Sequence, residues 1–276
     1  MDVATKAILA GVNLALSLRN EAIIMSRLVE AASLTVTFQG LEQALSHKEF
    51  TDAQLQSLQA AIGEAVNASS FRPALVAERT FVISAFRMRS EELSKMLKET
   101  GAKNQSGLDI HAYLKSSAFQ QDFNFALDYF SNLVALAEMP FPQCLTPEAQ
   151  EALPNIETAI ARNFTISTML LPALANIIQK GAEVAARIRV TQTVLAVERY
   201  RLKHDHALPS SLTDLTPAFI DAVPADPFDG QPLRYLKFPG KGYVVYSIGK
   251  DMKDDNGTER SPDGKTQLDM TFTIKR

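Results

Sequence analysis

The chain is poor in the residues that most often carry recognisable chemistry. It has one cysteine in 276 residues and no tryptophan. With Cys144 alone, an intramolecular disulfide is impossible, and a cysteine-based zinc site within one chain is excluded. Cys144 sits in PFPQCLTP between prolines. That is not the basic or helix-N-terminal setting that activates a thiol, so it reads as an incidental loop cysteine rather than a nucleophile. There is no glycine-rich phosphate loop, no Gly-x-Ser-x-Gly elbow and no His-Glu-x-x-His pair. These absences weigh against an enzyme. They leave open one whose site is assembled from residues distant in sequence.

Charge of one sign is lacking too. The 28 basic and 31 acidic residues give a net charge of −3, with no block of like charge. Neither nucleic acid nor an anionic membrane is expected as a partner on that balance. No apolar run is long enough to span a bilayer. The stretch 7–18 is interrupted by Asn13 and bounded by Arg19, short of the ~20 residues required. Lys6 is the only early cation and no clear small-residue cleavage site follows, so no secretory signal is expected. Membrane association is expected only if an anchor has been removed.

What is present is a large apolar fraction, 46% of residues, arranged mostly at helical spacing. Ala7, Val12 and 14–18 predict a short first helix. Ile23, Ile24, Leu28, Ala31, Leu34, Phe38, Leu41 and Leu45 predict a second of about six turns. Thr51 with Gln54 makes a reciprocal cap for a third, whose buried face is Leu55, Leu58 and Ile62. Arg72-Pro73 opens a helix expected to run through Phe81, Phe86, Leu93 and Leu97. GAKNQSG at 101–107 is a polar break, read as a mobile loop. A helix over 117–138 carries Phe119, Phe123, Phe125, Tyr129 and Phe130. That stripe reads as core before it reads as a ligand pocket, because aromatic rings dominate core burial. Pro140, Pro142, Pro147 and Pro154 mark the internal boundary.

A long helix is expected over 172–204, with Leu174, Ile177, Ile178, Gly181, Ala185, Ile188, Leu195 and Leu202 as its stripe. The code then changes. Pro209 and Ser210-Ser211 open a short helix through Leu212 and Leu215. Pro224, Pro227 and Asp229-Gly230 make tight turns. Residues 233–238 and 243–248 read as strands joined through Pro239-Gly240. Leu268, Met270, Phe272 and Ile274 alternate as a third. The expected class is therefore α+β, with a mostly helical domain at 1–171. A second domain at 172–276 holds the long connecting helix and a small antiparallel sheet.

That second domain resembles a known family. ERYRLKHDHALP, SSLTDLTP, VPADPFDGQPLRY and GYVVYSIGKDMKDDNG are similar, in this order, to the globular end of the major pseudopilins of type II secretion. LDM, with Asp269, falls where the family carries an acidic dipeptide. The resemblance covers 187–276, about a third of the chain. It implies a non-catalytic role, a pilin-like β domain, a cell-envelope or periplasmic setting and a stabilising calcium ion in the C-terminal loop. The family's apolar assembly helix and its cleavage site are missing, so polymerisation is not implied. The whole chain, through runs such as FTDAQLQSLQAAI, also resembles helical bacterial proteins of undescribed role that carry such a tail.

The candidate metal site lies in this tail. Asp251, Asp254, Asp255, Asn256 and Asp263 fall within 249–264, with Asp269 just beyond. Calcium takes six to eight oxygens from carboxylates and carbonyls, and such a loop could supply them. The spacing is not that of an EF-hand, since Lys253 stands where a ligand belongs. A solvated acidic turn is the competing reading. With the resemblance, the expected ligands are Asp251, Asp254, Asp255 and Asp269. His204 and His206 point apart on a helix and chelate poorly. A cation near a helix C-terminus explains them. His47 and His111 are isolated and read as surface or cap residues. Glu91-Glu92 and Glu148 with Glu151 read as exposed faces rather than an acid-base pair. Arg199 and Arg201 are expected to stay hydrated, with Tyr200 packed between helix and sheet. The reading favoured by the residues is a protein-interaction module, with a protein partner or self-association. The rival is an enzyme with its site in the helical region.

Overall fold

The computed structural model describes residues 2–99, 109–240 and 242–276. The polar break predicted at 101–107 lies outside them. Helices α1 (Val3–Ser17), α2 (Ile24–His47) and α3 (Asp52–Gly63) come first. The reciprocal cap predicted for α3 is present. The Thr51 side chain accepts from the Gln54 backbone N–H, and Gln54 Oε1 accepts from the Thr51 N–H at 2.8 Å. Leu55, Leu58 and Ile62 are buried as its spacing requires.

The helix predicted from Arg72 through Leu97 is two helices, α4 (Arg72–Ala85) and α5 (Ser90–Glu99). Its apolar spacing continues across the break because Phe86 and Leu93 are both buried. The break itself is local chemistry. Glu92 Oε2 accepts from the Arg89 N–H at 3.1 Å and ends the continuity by capping α5. Helices α6 (Ile110–Leu114), α7 (Ser117–Glu138), α8 (Pro147–Gln150), α9 (Ile156–Ala161) and α10 (Thr165–Leu170) follow. The four short ones were not predicted, because each is too brief to show a period.

The long helix is α11 (Ile177–Lys203), preceded by a 3₁₀ turn at Leu171–Leu174. Its 27 residues extend about 40 Å at 1.5 Å each. Ala182, Ala186, Val194, Ala196 and Val197 are all fully buried, so the helix is enclosed on most faces rather than along one stripe. After it come a 3₁₀ turn (Leu212–Leu215) and strands β1 (Arg234–Lys237), β2 (Tyr243–Ser247) and β3 (Met270–Ile274). They form one antiparallel sheet in the order β1-β2-β3, with Tyr235 opposite Val245 and Val245 opposite Phe272. The protein is α+β, and no helix among the described residues is long and apolar enough to cross a membrane.

The chain forms two compact units. One comprises Met1–Glu21, Met25–Ser70 and Gln179–Arg276. Its core joins Val12, Leu34, Phe38, Leu41, Leu58 and Ile62 to Val194, Leu195, Tyr243, Val245, Phe272 and Ile274. The inner face of the sheet is thus buried in the same core as the first three helices. The other unit comprises Ala22–Ile24 and Phe71–Ile178. Here α7 packs on α4 and α10. The predicted aromatic stripe pairs ring to ring: Phe86 lies 5.5 Å from Phe119 and 5.1 Å from Phe123, and Phe125 lies 5.7 Å from Phe164.

Candidate functional site

The sheet is closed by buried carboxylates, and the candidate loop is one of these closures. All five residues of β2 are buried, so both its faces are covered. The loop after β2 covers the outer one, with Gly257 against Val244 and Tyr246. Asp269, itself fully buried just before β3, holds this loop from beneath. It accepts from the Gly257 N–H at 2.7 Å and the Asp255 N–H at 3.3 Å. Burial raises its pKa; those two N–H groups oppose the rise, and the charges of Asp254 and Asp255 add to it. Gly249 starts the loop at φ +71°, where a Cβ would stand 2.6 Å from the Leu268 carbonyl oxygen.

Of the four predicted ligands, Asp254 and Asp255 lie close enough to Asp269 for their charges to bear on its carboxyl, and Asp269 holds the Asp255 N–H. Asp251 closes its own turn, accepting from the Lys253 N–H at 3.2 Å. Asp254 Oδ1 accepts from the Tyr246 hydroxyl and the Asn256 N–H, both at 3.0 Å. Asp255 Oδ2 is buried with no hydrogen-bond partner. Among the described residues no three acidic, histidine or cysteine side chains converge as a metal-holding group. The loop therefore offers a bare buried carboxylate oxygen beside two further acids, within a frame whose hydrogen-bond donors are backbone N–H groups and the Tyr246 hydroxyl.

A neighbouring turn rests on Asp226, which sequence reading passed over. Asp226 is fully buried. It accepts from the N–H groups of Phe228 at 3.0 Å and Ile248 at 2.9 Å, the Ser247 hydroxyl at 2.8 Å and Arg234 Nη1 at 2.7 Å. Arg234 also binds Asp229. Burial works to raise the Asp229 carboxyl, and the guanidinium together with backbone N–H groups more than offsets it, leaving it below the usual range. Arg234 Nε stands 3.8 Å from Asp254 Oδ2, so one arginine spans both loops. The visible signal was the Asp-Pro-Phe-Asp-Gly turn, where an Asp side chain closing on the N–H two residues on is the ordinary reading.

Two further carboxylates fix the sheet to its helices. Glu198 of α11 accepts from the Tyr243 hydroxyl at 2.8 Å, Arg201 Nη2 at 3.1 Å and Arg276 Nη2 at 3.0 Å. Arg201 is buried in this pair, and Arg199 bonds Asp52 at 2.8 Å and Gln59 at 2.9 Å. The expectation that both arginines stay hydrated is corrected: each has carboxylate or amide partners within reach. Tyr200 stacks on His204 at 3.8 Å and meets Phe219 edge-on. His206 turns instead to Arg201 Nη1 at 3.0 Å, so the two histidines do not share a ligand. Glu42 of α2 accepts from the Thr273 N–H of edge strand β3 at 2.7 Å.

In the helical unit Asp122 is a fully buried carboxylate. Phe164, at the N-cap of α10, has no capping side chain. Asp122 supplies the cap, accepting from the N–H groups of Ile166 at 2.8 Å and Ser167 at 3.1 Å, and from the Tyr113 hydroxyl. It lines neither of the two cavities described. One, of about 20 Å³, lies between Phe38, Glu42, Arg187 and Phe272, room for a single water. The other is an open groove of about 410 Å³ beside Arg89, Glu91, His111 and Lys115. Cys144 is buried, and burial pushes its thiol up to about 11. Glu148 and Glu151 are exposed, and Glu92 pairs with Arg89. Comparison with protein-family models, with curated proteins and with solved structures gave no match.

Proposed function

We propose that this chain is a non-catalytic protein-interaction module of the cell envelope or of a secretion system, with a pseudopilin-like C-terminal domain whose acidic loop takes calcium. One observation supports it most. The fully buried carboxylates Asp122, Asp226 and Asp269, and the nearly buried Glu198, are each engaged with backbone N–H groups, hydroxyls or guanidinium groups that shape the fold. General acid-base work needs such groups converging on a substrate-sized cleft. The enzyme reading would need the open groove at Arg89 and His111, where Arg89 is already paired with Glu92.

Calcium is supported by the partnerless Asp255 oxygen and by the setting of Asp269, whose carboxyl burial chiefly raises, with the charges of Asp254 and Asp255 adding to it. Asp255 and Asp269 would hold the ion, and Asp254 and Asp251, which close turns of their own in the structure, would have to turn toward it to complete the acidic set. A bound cation there neutralises the repulsion and fastens the loop over the outer face of β2. Calorimetric titration of chelator-treated protein tests this. Saturable binding that Asp255→Ala abolishes supports the reading. Absence of heat removes calcium from it.

A further inference from the structure

Asn256 and Gly257 form the chain's single Asn-Gly pair; each of the other nine asparagines is followed by a residue with a side chain. Asparagine is chemically labile, because the backbone nitrogen of the next residue can attack its side-chain carbonyl carbon. Glycine obstructs that approach least, having no Cβ. Asn256 is exposed and belongs to the loop that covers β2. By sequence it is the most reactive asparagine of the chain.

The loop holds this pair in an unreactive form. Ring closure needs the Gly257 nitrogen beside the Asn256 side chain, across the Cα–C bond. Asn256 stands at φ +55° and Gly257 at φ +75°. In the left-handed region, with ψ about +47°, that nitrogen points away from the side chain. The nitrogen is also engaged. Its N–H donates to Asp269 at 2.7 Å, and Asp269 is fully buried. The Asn256 N–H donates to Asp254 Oδ1 at 3.0 Å. The Asp269 N–H donates to the Thr258 carbonyl at 3.0 Å and closes the far side. Gly257 lies close on β2, where a Cβ would stand 3.1 Å from Val244 Cγ1. Attack therefore requires Gly257 to leave Asp269 and Asn256 to leave its left-handed backbone.

The geometry points to Asn256 as a deamidation site that the folded loop gates, with Asp269 as the latch. The reaction runs once the loop lifts. The Gly257 nitrogen loses its proton to solvent and bonds to Asn256 Cγ. The Cγ–Nδ2 bond breaks, and the amide nitrogen leaves as ammonia after taking a proton from solvent. Water then opens the cyclic imide at either carbonyl, leaving aspartate or isoaspartate at position 256. The net change is amide plus water to carboxylate plus ammonium. The product carries a new negative charge beside Asp254 and Asp255. Its isoaspartate form also lengthens the backbone by one carbon ahead of the N–H that Asp269 holds. The modification thus turns a passing opening of the loop into a permanent one, whether or not the loop takes calcium.

Peptide mapping by mass spectrometry tests this on the whole chain, aged at mildly alkaline pH with excess chelator so that calcium plays no part. A synthetic peptide of residues 250–262 gives the ungated rate. Asn256 in the folded chain is expected to react at least about tenfold more slowly than in the peptide, as a local opening equilibrium requires. Asp269→Ala is expected to bring the two rates together. Folded chain and peptide reacting alike would overturn the gate, and so would an Asp269→Ala rate equal to that of the wild type. No conversion in the peptide would overturn the site itself. Should Asp269→Ala misfold, hydrogen exchange at the Gly257 amide of the wild type gives the second reading. Protection that matches the slowing of deamidation supports the latch, and exchange at the free-peptide rate overturns it.

Discussion

The Tyr243 hydroxyl donates to Glu198 Oε1 at 2.8 Å and joins the central strand to the long helix inside the core. Tyr243 is fully buried; burial and the Glu198 charge hold its hydroxyl well above its usual pKa. Glu198 also answers Arg201 and Arg276, so removing it takes the close carboxylate from both guanidinium groups, leaving Arg201 with His206 and a more distant Glu49, and Arg276 with the Leu45 carbonyl. Glu198→Ala is expected to cost about 3–5 kcal/mol, and Tyr243→Phe only about 1 kcal/mol. Urea denaturation of both variants checks the order, and equal losses would show that the carboxylate is not the hub.

Glu42 covers the free edge of β3 by accepting from Thr273. Its pKa is raised, first by burial and then by Glu259, with the Thr273 N–H and nearby cations opposing. The unfolded chain releases this proton near the ordinary 4.5, and the folded chain releases it later. The folded state therefore binds more protons in that window, and rising pH lowers stability from about 4.5 upward. Glu42→Gln is expected to flatten that slope while keeping the acceptor. Glu42→Ala loses the acceptor and is expected to cost about 1–3 kcal/mol. Denaturation midpoints from acid to neutral pH read both effects.

Asp226 gathers four donors in the turn before β1. Asp226→Ala leaves buried N–H groups and the Ser247 hydroxyl without an acceptor, for an expected loss of about 3 kcal/mol or more. Asp226→Asn keeps an acceptor but weakens the Arg234 contact, and should fall between. Thermal melts of the pair test this ranking.

Gly11 permits the close approach of α1 to α2. An added Cβ would lie 2.5 Å from Thr37 Oγ1 and 3.3 Å from Thr37 Cβ. Gly11→Val is expected to part the helices and cost about 1–3 kcal/mol, and Thr37→Ala in the same chain should recover part of it. Recovery in a double-mutant cycle is the measurement.

Residues 172–276 carry the long helix and the sheet, but not all of the core that buries them. Leu34, Phe38, Leu41 and Leu45 of α2 share that core with Tyr243, Val245 and Phe272. A chain beginning at Pro172 is therefore expected to give broad, poorly dispersed amide resonances, and restoring residues 1–70 in trans should sharpen them. Sharp, dispersed resonances from the short chain alone would show that the C-terminal region folds without α2.

Local chemistry was legible in the sequence, and distant pairing was not. The Thr51–Gln54 cap, the long helix and the three strands each rest on residues close in sequence, and each stands within a few positions of its predicted place. The break between α4 and α5 was missed because the apolar spacing runs on through Phe86 and Leu93 while a side-chain cap ends the helix. Glu42 meets Thr273 across 231 positions, and Asp122 caps a helix 44 positions away. Periodicity carries no sign of either. In the acidic loop the residue types were visible, but which carboxylate lies buried depends on how the loop folds over β2. Asp251 and Asp269 look alike in sequence; one closes an Asx turn and the other underpins the loop.

The measurement that tests the account most directly is calcium titration by calorimetry on chelator-treated protein, beside Asp255→Ala and Asp269→Asn. The account predicts saturable binding that both variants lose, with a calcium-dependent rise in melting temperature for the wild type alone. No heat and an unchanged melting temperature would contradict it, leaving the acidic loop as a hydrogen-bonded cover for the sheet and nothing more.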